Sequence, residues 1–126
     1  MPRVSRLHRT LAALLLIVGL AGCGETRTSD VDIRSISDSA VFEAMNEPGT
    51  VLVDVRSGRQ YAAGHIPGAA SIPLPDMRWN DPRLAKAEKI VVYSSGWSDV
   101  LSRAGAKKLM ALGYENVFEF KGGLDE

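Results

Sequence analysis

Residues 33–126 read as one α/β domain built on an open, mainly parallel sheet flanked by helices. Val51-Leu52-Val53-Asp54-Val55 and Ile90-Val91-Val92-Tyr93 are continuous apolar runs, the pattern of strands buried on both faces of a parallel sheet. Between and after them lie stretches with helical spacing. Strands and helices that alternate at this length imply parallel crossovers. A chain of 126 residues has room for one such domain and not two.

Taken in order, Ile33 to Ile36 predicts a short first strand. Ser37 is placed to cap a helix running through Met45, with Val41, Phe42 and Met45 as its inner side. Asn46-Glu47-Pro48-Gly49 ends that helix. Val51 to Val55 is the second strand. Ala69 to Ile72 is the third, stopped by Pro73 and Pro75. Ile90 to Tyr93 is the fourth. From Asp99 to Leu112 a helix carries Leu101, Gly105, Leu109 and Leu112 on one face. Ser98 is its expected cap, Asp99 suits its positive N-terminal end, and Gly113 ends it. Asn116 to Phe120 is the last strand.

The N-terminus has a different character. Arg3, Arg6 and Arg9 precede the apolar run Leu11 to Leu20, and the small residues Ala21 and Gly22 precede Cys23. This is the layout of a secretory signal peptide, and the run is shorter than the ~20 residues of a spanning helix. Leu20-Ala21-Gly22-Cys23 resembles the lipobox of bacterial lipoproteins. That resemblance implies residues 1–22 as a signal peptide, cleavage before Cys23 and a lipid on its thiol. Cys23 would then anchor the protein in a membrane, on the periplasmic or extracellular side of a bacterial envelope. Gly24, where the family uses aspartate for inner-membrane retention, leans toward the outer membrane. The alternatives are an ordinary signal whose cleavage site lies beside a cysteine, and a retained signal anchor.

Several acyl chains hold firmly, since each buried methylene contributes about 0.8 kcal/mol. Residues 23–32 comprise the lipidated cysteine and a polar tether. Gly24 to Asp32 spans at most about 30 Å when extended. Removal of residues 1–22 takes away three arginines and no acid. The 15 basic and 15 acidic residues of the chain then become 12 and 15, a formal charge of −3. No basic patch points to nucleic acid. With one cysteine no intrachain disulfide forms, and no cofactor or metal is implied.

Two stretches reach beyond fold class. Val51 to Leu74 reads VLVDVRSGRQYAAGHIPGAASIPL, and Lys89 to Gly123 reads KIVVYSSGWSDVLSRAGAKKLMALGYENVFEFKGG. The pairing of D-V-R with G-H-I-P-G-A, supported by G-Y-x-N-V and a following Gly-Gly, resembles the rhodanese-like domain, a sulfurtransferase fold. The resemblance covers residues 33–126.

It implies that Asp54 and Arg56 hold neighbouring loops by hydrogen bonds. It also implies that His65 packs and hydrogen-bonds within its turn and does not act as a base. Tyr61 and Ile66 read as core, and Trp79 and Trp97 as surface anchors. In active members a cysteine follows the V-Y of the fourth strand. The N–H groups of its loop stabilise an anion there and lower the thiol pKa for attack on a sulfur donor. Ser94 stands at that position.

A serine hydroxyl forms no persulfide and needs an adjacent general base. Once the signal is removed, His65 is the one histidine left. The loop Ser94, Ser95, Gly96, Trp97, Ser98, Asp99 remains a candidate anion site. It is longer than the usual sulfurtransferase loop, with Asp99 at its mouth and Arg103 within reach. An acid at the mouth disfavours anions and also suits a helix N-terminus. Family members continue into a tryptophan and a closing helix, whereas this sequence stops at Gly122-Gly123-Leu124-Asp125-Glu126. That implies a missing closing helix and a less covered sheet face.

Three functional readings follow. The first is a catalytically inactive, membrane-tethered module that binds an unknown protein partner or a small anion. The second is a sulfurtransferase that works without the usual cysteine, or a phosphatase-like hydrolase. The third is a decaying copy without function.

Overall fold

The structure, a computed structural model, describes residues 32–125. The predicted signal peptide, Cys23 and nearly all of the tether lie outside the described residues.

Five strands form one sheet in the order β1-β5-β4-β2-β3, with every neighbouring pair parallel. They are β1 (Arg34–Ser35), β2 (Thr50–Asp54), β3 (Ala70–Ser71), β4 (Lys89–Tyr93) and β5 (Val117–Phe120). The two apolar runs form the centre of the sheet. β2 lies along β4 in register from Thr50 beside Lys89 to Asp54 beside Tyr93. Successive side chains of a strand point to opposite faces, so an unbroken apolar run needs cover on both. Val53, Val55, Ile90 and Val92 join the core beneath the last helix, with Ala106 and Leu109. Leu52, Val91 and Tyr93 join Val41, Ala69 and Phe120 on the other face.

Three helices flank the sheet: α1 (Asp38–Ala44), α2 (Gly58–Ala63) and α3 (Leu101–Ala111). Ser37 caps α1 by accepting from the Ala40 N–H. The expected inner face of α1 needs correction. Val41 and Ala44 are buried, Met45 is partly so, and Phe42 is 72% exposed. Positions i and i+3 share a helical face, and the residue after Val41 is turned away from it.

α2 is absent from the sequence expectation. Its start is a capping box, with Ser57 accepting from the Gln60 N–H and the Gln60 side chain accepting from the Ser57 N–H. The strand expected over Ile33 to Ile36 pairs only at Arg34 and Ser35. At α3, Gly113 adopts φ +93° just beyond the helix end, a conformation that glycine tolerates. The expected Ser98 cap does not form. Val100 occupies the N-cap without a side-chain cap, and the Leu101 N–H is taken by Asp99. Among the described residues, no helix is long and apolar enough to cross a membrane.

Candidate functional site

β4 delivers Tyr93 and Ser94 to the C-terminal edge of the sheet, where ligand loops gather in open parallel α/β folds. The Tyr93 hydroxyl accepts from the Ile66 N–H at 3.0 Å. Burial pushes its phenol well above the ordinary value. Ser94 is 1% exposed, and its Oγ donates a hydrogen bond to the Asp99 carboxylate. The same carboxylate accepts the Leu101 N–H at 2.9 Å and the Ser95 N–H at 3.4 Å. Burial alone would raise the Asp99 pKa. Hydrogen bonds from Ser94, Leu101 and Ser95 outweigh it and hold the carboxyl below its usual value.

Asp99 is therefore an acceptor inside the loop, and the N–H groups of Ser95 and Leu101 point at this chain's own carboxylate. A carboxylate with a depressed pKa is a poor general base at neutral pH.

The far side of the loop is clamped by the 3₁₀ turn Gly123–Asp125. Leu124 N–H donates to Ser94 O at 3.1 Å and Asp125 N–H to Ser95 O at 3.0 Å. Gly123 has φ +60°, and a Cβ on it would lie 2.4 Å from Ser94 O. A Cβ on Gly96 would in turn meet the Asp125 carboxylate. The close approach needs glycine at 123, where the neighbours are backbone, whereas at 96 the Asp125 side chain would have to move.

Asp54 and Arg56 form a buried pair at 2.7 Å. Asp54 also accepts the Arg56 backbone N–H, and Arg56 Nη2 reaches Gly64 O at 2.6 Å. The pair thus ties the end of β2 to the turn after α2. In that turn the His65 ring stacks on Tyr61 with centroids 3.7 Å apart. Its Nδ1 lies 2.9 Å from Tyr61 O. A carbonyl only accepts, so Nδ1 carries the proton. His65 has no hydrogen bond to Ser94.

A cleft of about 200 Å³ opens beside the loop, lined by Trp97, Asp99, Val100, Arg103, Glu119 and Lys121. Buried Glu119 accepts from Ser102 Oγ at 3.0 Å, and Arg103 Nε approaches it at 3.4 Å. Of the loop residues singled out in the sequence, Trp97 and Asp99 line this cleft together with Arg103. Ser94 is sealed behind Asp99, Gly96 is buried, and Ser98 is exposed. Val100, Ser102, Glu119 and Lys121 were not anticipated. One signal existed, because Glu119 interrupts the apolar pattern of a buried strand. Among the described residues, no cluster of three or more His, Cys, Asp or Glu side chains is placed to hold a metal.

The rhodanese-like domain model matches residues 37–126. The chain belongs to the rhodanese-like domain family. The chain is similar to the tRNA uridine(34) hydroxylase of Erwinia tasmaniensis, at 30% identity over 75% of this chain and 29% of that protein. It is similar also to the adenylyltransferase and sulfurtransferase UBA4 of Candida albicans, at 29% identity over 82% of this chain and 26% of that one. The chain thus spans less than a third of the length of these relatives. Among solved structures, a thiosulfate sulfurtransferase from Pseudomonas aeruginosa superposes with a TM-score of 0.64 and 30% identity. That match covers 72% of this chain and 17% of the other.

Proposed function

We propose that this rhodanese-like domain is a non-catalytic binding module, with Ser94 standing where active members carry a nucleophilic cysteine. The observation that carries this reading is the pairing of a buried Ser94 hydroxyl with the depressed Asp99 carboxylate. A hydroxyl so placed lacks a base matched to neutral pH and has no sulfur with which to form a persulfide. Cys23 is the chain's one cysteine. In this reading it carries lipid and tethers the module to the outer face of a bacterial membrane.

The test incubates the purified full chain with thiosulfate and cyanide. Thiocyanate production should not exceed that of Ser94→Ala. Robust turnover that Ser94→Ala abolishes would overturn the reading in favour of a sulfurtransferase, which the identity to the Pseudomonas protein supports. For the tether, cells fed labelled palmitate should label the full chain and leave Cys23→Ala unlabelled.

A further inference from the structure

The charges of the cleft beside the Ser94 loop are unequally satisfied. Both carboxylates already have donors from this chain: Asp99 from Ser94, Ser95 and Leu101, and Glu119 from Ser102 and Arg103. The cations are less committed. A guanidinium has five N–H donors, and Arg103 meets Glu119 through Nε at 3.4 Å, long for a charge-assisted bond. Lys121 makes no hydrogen bond or ion pair with any described residue. The rim is apolar and open, with Trp97 66% and Val100 76% exposed.

Size separates the possible occupants. About 200 Å³ falls below the roughly 300–1,000 Å³ of sites that enclose a drug-sized ligand. It suits one inserted side chain, with the remainder of a partner laid over the rim. Trp and Arg are the residue types that most often anchor protein interfaces. Resting on the non-catalytic binding reading, we propose that this cleft docks an acidic peptide segment of a partner protein. An apolar side chain of that segment sits against Trp97 and Val100, and its flanking carboxylates meet Arg103 and Lys121.

The test uses the full chain in non-ionic detergent carrying Trp79→Phe, which leaves Trp97 as its one tryptophan. It is titrated with an end-blocked peptide of a central leucine flanked by glutamates, and with the same peptide carrying lysines. Trp97 emission should shift to the blue with the glutamate peptide alone. Added salt should weaken that binding, and Lys121→Glu should weaken it about tenfold. Calorimetry on Trp97→Ala, with Trp79 intact, should show a loss of about tenfold or more.

If Lys121→Glu does not fold, judged by circular dichroism, Lys121→Ala and the salt series decide. An equal response to both peptides, binding unchanged by the variants, or no binding of either peptide overturns the proposal. Thiocyanate production would instead remove the non-catalytic reading, so the two failures are told apart.

Discussion

Ser94 and Asp99, five positions apart, are joined by a hydrogen bond that turns the loop after β4 back on itself. Asp99 also holds the first N–H of α3, through Leu101. One carboxylate therefore closes the loop and starts the helix. Three donors converge on it, and their combined pull keeps it ionised.

From this contact we predict that Ser94→Cys alone does not suffice for sulfur transfer. A thiol facing the Asp99 carboxylate is pushed up in pKa, whereas the chemistry needs a thiolate. Thiocyanate assays should find Ser94→Cys inert and the double variant Ser94→Cys/Asp99→Asn more active. Turnover by Ser94→Cys alone would show that Asp99 does not close the site.

Asp99→Asn should also change the acid response of the fold. Asp99 has a lower pKa folded than unfolded. Its contribution is therefore present above the unfolded value of about 3.9 and is lost as pH falls through the folded value. At neutral pH we expect Asp99→Asn to cost about 1–2 kcal/mol, from the loss of charge-assisted hydrogen bonds. The gap to the native protein should shrink below about pH 4. Asp81, lowered by hydrogen bonds from Arg83, is common to both proteins and cancels. Urea melts across pH measure the difference, and a gap that grows in acid would contradict the sign.

Arg56→Ala should be among the most damaging single changes. It leaves the fully buried Asp54 carboxylate without its ion partner and removes the donor to Gly64 O. Breaking one side of a buried pair costs about 3–5 kcal/mol. Arg56→Lys should recover only part of this, because an ammonium cannot reproduce the planar fork. Denaturant midpoints would reveal the ranking.

Gly105→Ala tests the packing of α3. Alanine gains about 1 kcal/mol of helix propensity over glycine. Its Cβ would, however, stand 2.7 Å from Val55 Cγ1 and 3.0 Å from Val92 Cγ1. Both valines are fully buried, Val92 in β4 and Val55 just past the end of β2, and overpacking typically costs about 1–3 kcal/mol. Net destabilisation is expected by thermal melt, and a neutral or higher Tm would show that the interface yields.

Much of the architecture was readable before any coordinate. The apolar runs 51–55 and 90–93 marked two-faced central strands, Ser37 marked a helix start, and Gly113 a helix end. Errors arose where local pattern underdetermines contact. Phe42 is the more hydrophobic residue, yet Ala44 is the one buried, three positions after Val41 on the same face. The Ser57–Gln60 capping box is present in the residues, but α2 has no fully buried residue to mark an apolar face, so hydrophobic periodicity does not reveal the helix. Ser98 and Asp99 are neighbours with equally good capping chemistry, and only the path of the loop selects Asp99.

The cleft was illegible for a different reason. Trp97, Asp99 and Val100 precede α3 and Arg103 lies in its first turn, whereas Glu119 and Lys121 follow the helix. They meet because β4 and β5 pair in a register that sets Val92 beside Glu119 and Tyr93 beside Phe120. The sequence alone determined the family scaffold, the loop after Tyr93 and the serine within it, since these follow from residue types at short spacing. Only the tertiary structure decided what Ser94 does. Clamped by Gly123–Asp125, the loop brings Asp99 onto a hydroxyl that burial has cut off from water.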